Sequence, residues 1–316
     1  MQIICVGDLC CDLVVPYGDM RKALSCGDIR KETVDNLQVR MQCGGSVGNV
    51  ARHLGRMERR PVFVTPLCQD PLGDYLSAEM EKAGVDMSWV AETTRSNMYC
   101  VAVLDQTGER TMFCFVPPWA DYPRFDRHSF DRIPPFPDQV LFTSGMAFLD
   151  DPENNRAVLD FFTKRKESGA MIVFDLNVRA ESYGCEGERK SSIERMIGIS
   201  DFLLGSGKEE FYQVTGMDNI REAAGVLLRS GAGCVIARDG GNRILVLGDG
   251  VDQYVPVRRV NPVSTIGAGD SFDAAFLKDI SFGMDVISAV RNASDYARDY
   301  VSGADERPAD DAKRVL

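Results

Sequence analysis

Short, continuous apolar runs recur along the chain at Ile3–Val6, Val62–Thr65, Val140–Thr143, Met171–Phe174, Phe202–Leu204, Cys234–Ala237 and Ile244–Leu247. Runs of this length without polar alternation predict strands buried on both faces. Between them the period changes. In Ser46–Met57 the residues Val47, Val50, Ala51 and Leu54 fall at i, i+3, i+4 and i+7, one face of a helix. Leu72–Lys82, Glu153–Lys166, Ile220–Arg229 and Asp285–Val301 carry helical patterns too. Strands alternating with helices predict an α/β fold, a doubly wound and mostly parallel sheet with helices on both faces.

Two stretches break the alternation. Residues 13–42 and 96–116 hold strand-like runs (Glu32–Gln42, Met98–Asp105, Arg110–Val116) with turn signals such as Gln106-Thr-Gly and no helix between them. They predict a small antiparallel sheet inserted into one domain spanning 1–316. That sheet is either an edge extension of the main one or a lid over a substrate cleft, and the pattern leaves both open. The polar, charged tail after Gly303 predicts a frayed end.

Composition narrows the partners. The chain has 316 residues, 44% hydrophobic and 26% charged, enough for a sizeable core. A net charge of −11 argues against nucleic acid, whose phosphates need a basic surface. No apolar run approaches the length that crosses a bilayer, so no membrane is expected. Asp8 and Asp12 interrupt the first apolar stretch and no basic residues precede it, so it reads as a strand and not a secretory signal. The ten cysteines form no C-x-x-C pair and only His53 and His128 offer imidazoles, which argues against zinc. Cys5, Cys100, Cys114 and Cys234 lie in apolar runs and read as small core residues. Without an export signal the thiols are expected reduced, in the cytoplasm.

The most informative segment is Ser264-Thr-Ile-Gly-Ala-Gly-Asp-Ser-Phe-Asp-Ala-Ala-Phe-Leu277. A small-residue turn, Gly267-Ala268-Gly269, runs into a helix whose apolar stripe includes Phe272, Ala275 and Phe276. Such a helix start exposes main-chain N–H groups and the positive end of the helix dipole, a ready site for phosphate. Asp270 at that start is either an N-cap or a catalytic carboxylate. Near the other end, Gly44 and Gly45 precede the Ser46 helix, as a simple turn or as bare backbone that a ligand approaches closely. Asn49 lies off the apolar stripe, its amide facing either solvent or a ligand's hydroxyls. Asp12 follows the first strand, near the strand ends where open α/β folds bind ligands, and is otherwise a turn-stabilising carboxylate.

The segment 264–277 resembles the C-terminal signature of the ribokinase, or PfkB, carbohydrate kinase family, and Gly44-Gly45-Ser-Val-Gly-Asn49-Val-Ala51 resembles its N-terminal Gly-Gly-x-x-x-Asn-x-Ala motif. Asp12, Gly108-Glu109-Arg110-Thr111 and Asp175-Leu-Asn177-Val-Arg179 fit the same pattern, so the similarity runs from residue 3 to about 302. The resemblance implies a ribokinase-like fold and transfer of the ATP γ-phosphate to a hydroxyl of a small sugar, or of a nucleoside. Asp270 would be the base, and the amides of Gly267, Ala268 and Gly269 the anion hole. Asp12, Gly44, Gly45, Asn49 and Arg110 would hold the acceptor. Asn177, Lys208, Arg238 and Gly240 would face the nucleotide, and Glu210 would hold Mg²⁺ through water.

Three departures fall on the nucleotide side. Ser264, Thr265 and Ile266 replace the family's Asp-Thr-Thr, which puts a monovalent-cation site in doubt. Gly207-Lys-Glu-Glu210 replaces Asn-x-x-Glu, leaving Lys208 as either a substitute phosphate contact or an exposed lysine at a helix start. Asp239-Gly-Gly-Asn242 replaces Gly-x-x-Gly, placing an acid toward phosphate unless a metal intervenes or Arg238 compensates. These departures keep open a weakened ligand-binding relative. A dinucleotide oxidoreductase fits poorly, because Gly7-Asp-Leu-Cys-Cys-Asp12 is no G-x-G-x-x-G. Exposed lid strands suggest a homodimer paired through them.

Overall fold

The structure, a computed structural model, describes residues 1–16, 39–104, 110–114, 123–239, 242–260 and 267–303. Residues 32–38 of the expected Glu32–Gln42 strand, Gly108 and Glu109, Gly240, the Ser264–Ile266 departure, the tail beyond Gly303 and the Arg110 side chain lie outside the described residues. The strands are β1 (Gln2–Val6), β2 (Cys10–Pro16), β3 (Arg40–Gly44), β4 (Val62–Val64), β5 (Pro66–Cys68), β6 (Ala91–Thr93), β7 (Met98–Leu104), β8 (Arg110–Cys114), β9 (Gln139–Ser144), β10 (Met171–Asp175), β11 (Phe202–Ser206), β12 (Cys234–Asp239), β13 (Arg243–Gly248) and β14 (Val251–Pro256). Eight of them form the main sheet in the order β14-β13-β12-β11-β10-β9-β1-β4. From β4 to β12 every pairing is parallel, and β13 and β14 close the other edge as antiparallel strands.

Alternation along each strand sorts the core into two layers. Ile3 and Cys5 of β1 join the layer of Val50, Leu54, Phe272, Phe276 and Val290. Ile4 and Val6 join the layer of Phe162, Ile193, Met196 and Leu227. The Ser46–Arg56, Ala268–Ser281 and Val286–Ser302 helices therefore share one face, and the Pro152–Glu167, Gly187–Ile199 and Ile220–Arg229 helices the other. This is the doubly wound arrangement expected. His53 ties the first group together, its Nδ1 lying 3.2 Å from the Tyr296 hydroxyl and its ring edge-on to Tyr300.

The small sheet has the order β3-β2-β7-β8. Among the described residues no ladder joins it to the main sheet, so it is separate and not an edge extension. Two expectations change. The sheet begins at Cys10 and not at residue 13, and it is mixed and not antiparallel, since β2 and β7 run parallel while β3 and β8 pair antiparallel. The reason is topological: β2 and β7 are linked by a long excursion through the main layers, and a crossover of that length permits parallel pairing.

Candidate active site

Asp12 lies in β2, opposite Gln42 of β3 and Cys100 of β7, and not in a loop after β1. Its carboxylate explains Gly44. A Cβ on Gly44 would come within 2.6 Å of Asp12 Oδ2, far inside contact distance, so the missing side chain makes room for the carboxylate more directly than for a ligand. Gly45 has a different reason. Its φ of 95° lies where a side chain is strained, and the carbonyl of Asp8 sits 2.7 Å from where its Cβ would be. The helix that follows is capped from a distance: Ser46 N and Val47 N donate to the two Asp8 carboxylate oxygens at 2.6 and 3.1 Å. Sequence reasoning missed Asp8, since a cap 38 residues upstream leaves no local pattern.

At the other motif, the Ala268–Ser281 helix starts from Gly267 in the left-handed conformation, φ 73°, with no side-chain cap among the described residues. Gly267 O accepts from Ser271 N at 2.8 Å. The amides ahead of Ser271 are the orphan donors of a helix start. Asp270 does not cap them. Its carboxylate turns to the other motif, where Asn49 Nδ2 donates to Asp270 Oδ2 at 2.9 Å. Burial pushes Asp270 up to about 7; Asn49 opposes this, the Asp175 and Asp8 charges add to it, and Arg179 opposes it.

Behind this turn sits a buried ion cluster. Arg238 donates to Asp273 Oδ1 at 2.6 Å, to Asp175 Oδ1 at 2.9 Å, and to the carbonyls of Gly269 and Gly205 at 3.2 and 3.3 Å. Burial alone would lower its basicity, but Asp273, Asp175 and Glu210 outweigh this and hold the guanidinium above its usual range. Asn177 and Arg179, just past β10, both have positive φ, 30° and 45°, a strained conformation for side-chain-bearing residues. Asn177 Nδ2 donates to Ser46 Oγ at 2.5 Å and its Oδ1 accepts from Arg179.

A pocket opens from Asp8 along Gly7, Leu9 and Thr65 and is walled by Pro66, Met98, Phe125, Met146 and Leu149. Ser144 caps the short turn Gly145–Ala147 through Met146 N, which sets Met146 and Ala147 on the wall. Arg124, also on the wall, is paired with Asp151.

Residues 2–303 match the pfkB family of carbohydrate kinases. The chain belongs to that family. It is 26% identical over 265 residues to an aminoimidazole riboside kinase of Salmonella typhimurium, spanning 83% of this chain and 82% of the relative. Aminoimidazole riboside kinase from Salmonella enterica, complexed with aminoimidazole riboside and an ATP analog, superimposes with a TM-score of 0.77 at 21% identity, covering 96% of this chain and 94% of that one. Fructokinase from Vibrio cholerae, in a form bound to fructose, ADP and calcium, gives 0.77 at 23% identity, covering 95% and 92%. At these identities the two structures establish the ribokinase-like fold.

Within this pfkB chain the compensation expected of Arg238 needs correction. Arg238 was expected to offset Asp239, but neighbours on a strand point to opposite faces, and Arg238 is spent on Asp175 and Asp273. Arg243 is the residue that meets Asp239, Nε to Oδ2 at 3.3 Å. Lys208 lines an outer groove with Asp239, Asn242, Arg243 and Tyr254. Asn177 sits against Ser46, at the acceptor motif. Both Glu210 oxygens already accept main-chain amides, from Ser206 at 2.6 Å and Val178 at 3.1 Å, and burial pushes its carboxyl up to about 7, helped by Asp175. This fits a contact to hydrated Mg²⁺ through water and leaves little for a direct bond.

Proposed function

We propose that this chain is a sugar kinase that transfers the γ-phosphoryl of ATP to a hydroxyl of a small carbohydrate. The observation that carries this reading is the 2.9 Å contact between Asn49 and Asp270, which joins the two motifs beside an uncapped helix start. The acceptor hydroxyl lies between Asp12, Asn49 and Asp270. Asp270 takes its proton as the acceptor oxygen bonds to phosphorus and the bond to the β,γ-bridging oxygen breaks. The amides of Gly267, Ala268 and Gly269 receive the charge on the transferring group. Mg²⁺, when bound, screens phosphate charge, and Glu210 would reach it through water. A base near pH 7 suits this work, because the fraction ionised and the drive to accept a proton are then balanced.

The acceptor pocket supports a second reading of the acceptor. Its wall beyond Asp8 is largely apolar, with Met98, Phe125 and Met146, which suits the flat base of a nucleoside as well as a sugar ring. The riboside named for the Salmonella relatives agrees with that. A panel of ribose, fructose, 2-keto-3-deoxygluconate and several nucleosides with Mg-ATP, wild type against Asp270→Asn, decides. At least one acceptor is expected to be phosphorylated, and the variant to lose a factor of about 10² or more. Ligand binding without turnover across the panel would sink the kinase reading in favour of a weakened relative.

A further inference from the structure

The small sheet holds a cluster of metal-ligating side chains of which the proposed phosphoryl transfer uses only Asp12. Cys10 and Asp12 project from one face of β2, since side chains alternate along a strand, and Asp12 is the ladder partner of Cys100. The two Sγ atoms and an Asp12 carboxylate oxygen all lie within 4.8 Å of one another. Cys10 Sγ donates to Asp12 Oδ1 at 3.5 Å, and both cysteines are buried. Residues 10, 12 and 100 carry no metal-site spacing in sequence; only the β2–β7 pairing assembles them.

We propose that Cys10, Asp12 and Cys100 form a binding site for a thiophilic divalent cation such as Zn²⁺ or Cd²⁺. Two thiolates and a carboxylate are a three-ligand set that leaves a fourth position for water, and thiolate selects soft ions over Mg²⁺. Tetrahedral bonds of about 2.3 Å place two sulfurs about 3.8 Å apart, so small side-chain rotations close the triangle on a fixed sheet. The Cys10 thiol is protonated at rest. The Cys100 hydrogen bond lowers the Cys10 pKa, but burial and the Asp12 and Asp8 charges outweigh it and push it up to about 12. Thiolate ligation releases thiol protons to solvent. The consequence rests on the acceptor reading of Asp12: a cation there takes the carboxylate away from the acceptor, so it inhibits by competing with the acceptor and not with the nucleotide.

The test titrates Cd²⁺ into the full chain without acceptor, in a phosphine reductant, following thiolate-to-cadmium absorbance, with Zn²⁺ calorimetry alongside. One tight equivalent per chain is expected. In Cys10→Ser and Cys100→Ser its affinity should fall at least about tenfold, the loss seen even when only a ligand's supporting partner is removed. Kinase activity without the cation should stay near wild type in both variants. Cys10→Ala and Cys100→Ala repeat the comparison if a serine variant fails to fold. Equal affinity in wild type and variants, or no tight equivalent in the wild type, overturns the site. Inhibition that competes with Mg-nucleotide overturns the acceptor-side consequence. Cd²⁺ bound at these thiols in a chain that phosphorylates nothing would uphold the site and sink the kinase reading, so the two failures are distinguishable.

Discussion

Asn49→Ala separates the electrostatic role of Asn49 from its role as a contact to the acceptor. In the wild type Asp270 is pushed up to about 7, and the Asn49 hydrogen bond is the leading influence opposing that rise. As the proposed base, Asp270 works ionised, so kcat/KM is about half its plateau at pH 7, full from about pH 8 and falls further as pH drops. A hydrogen bond to a charged group contributes about 1.5–3 kcal/mol. At 1.36 kcal/mol per pKa unit, losing it moves Asp270 up by about 1–2 units. The variant should therefore keep about a tenth or less of its plateau activity at neutral pH, against about half for the wild type, and recover above about pH 9.

The assay is kcat/KM against pH, by ADP release, with whichever acceptor of the panel turns over. A carboxyl ¹³C titration of Asp270 gives the same quantity without turnover. If Asn49 only binds the acceptor, KM rises by one factor at every pH and the acid limb stays in place. An acid limb that moves by less than about 0.3 unit while KM climbs would refute the electrostatic account.

Other perturbations follow from the same geometry. Asp270→Asn should stabilise the fold at alkaline pH: the carboxyl rises from 3.8 to about 7 on folding, so the native state holds its proton more tightly and stability is lost as pH rises through that window. The gap, at most about 4 kcal/mol, should appear in thermal unfolding at about pH 8 and vanish near pH 4. Gly44→Ala should destabilise by about 1–3 kcal/mol through overpacking against Asp12, and much less in an Asp12→Ala background; equal costs in a double-mutant cycle would refute that cause. Arg238→Met should cost about 3–5 kcal/mol in urea unfolding, because Asp175 and Asp273 are left buried without their cation, and a near-neutral result would show the cluster opens to water.

Much of the fold is legible because parallel strands buried on both faces read as unbroken apolar runs. Each of the seven runs named from the sequence is a main-sheet strand. What escaped lacks that signal. β14, Val-Asp-Gln-Tyr-Val-Pro, is a half-exposed edge strand whose polar residues hide the pattern. The Gly187–Ile199 helix buries Arg189 and Ser192 along with Ile193 and Met196, so its inner face does not look apolar. Arg189 can be buried because each of its three nitrogens donates: it bonds the carbonyls of Gly145, Phe148, Val178 and Gly184. The glycines and Asp270 were readable as motifs, but Gly44's reason was not, since it depends on Asp12 reaching across from β2. Arg238 misled for a related reason. Its sequence neighbour Asp239 suggested a partner, while strand alternation turns it toward Asp175 and Asp273.

A chain of net charge −11 is a poor host for the highly charged phosphate tail of a nucleotide only if charge is averaged over the surface. Exposed charges are screened beyond about 8 Å at physiological ionic strength, so the phosphoryl site responds to its own neighbours. Three carboxylates around the two motifs have partners of their own. Asp8 accepts two amides of the Ser46 helix, and Asp175 and Asp273 share Arg238. What the helix start at Gly267 then presents is main-chain N–H and the positive end of its dipole. The layering makes this possible. The Ser46–Arg56 and Ala268–Ser281 helices lie on one face, so residues 221 apart in sequence, Asn49 and Asp270, meet at hydrogen-bond distance. Burying the Asp270 carboxylate is costly for the fold, and that cost, only partly offset by Asn49 and Arg179, is what holds its basicity near neutral pH.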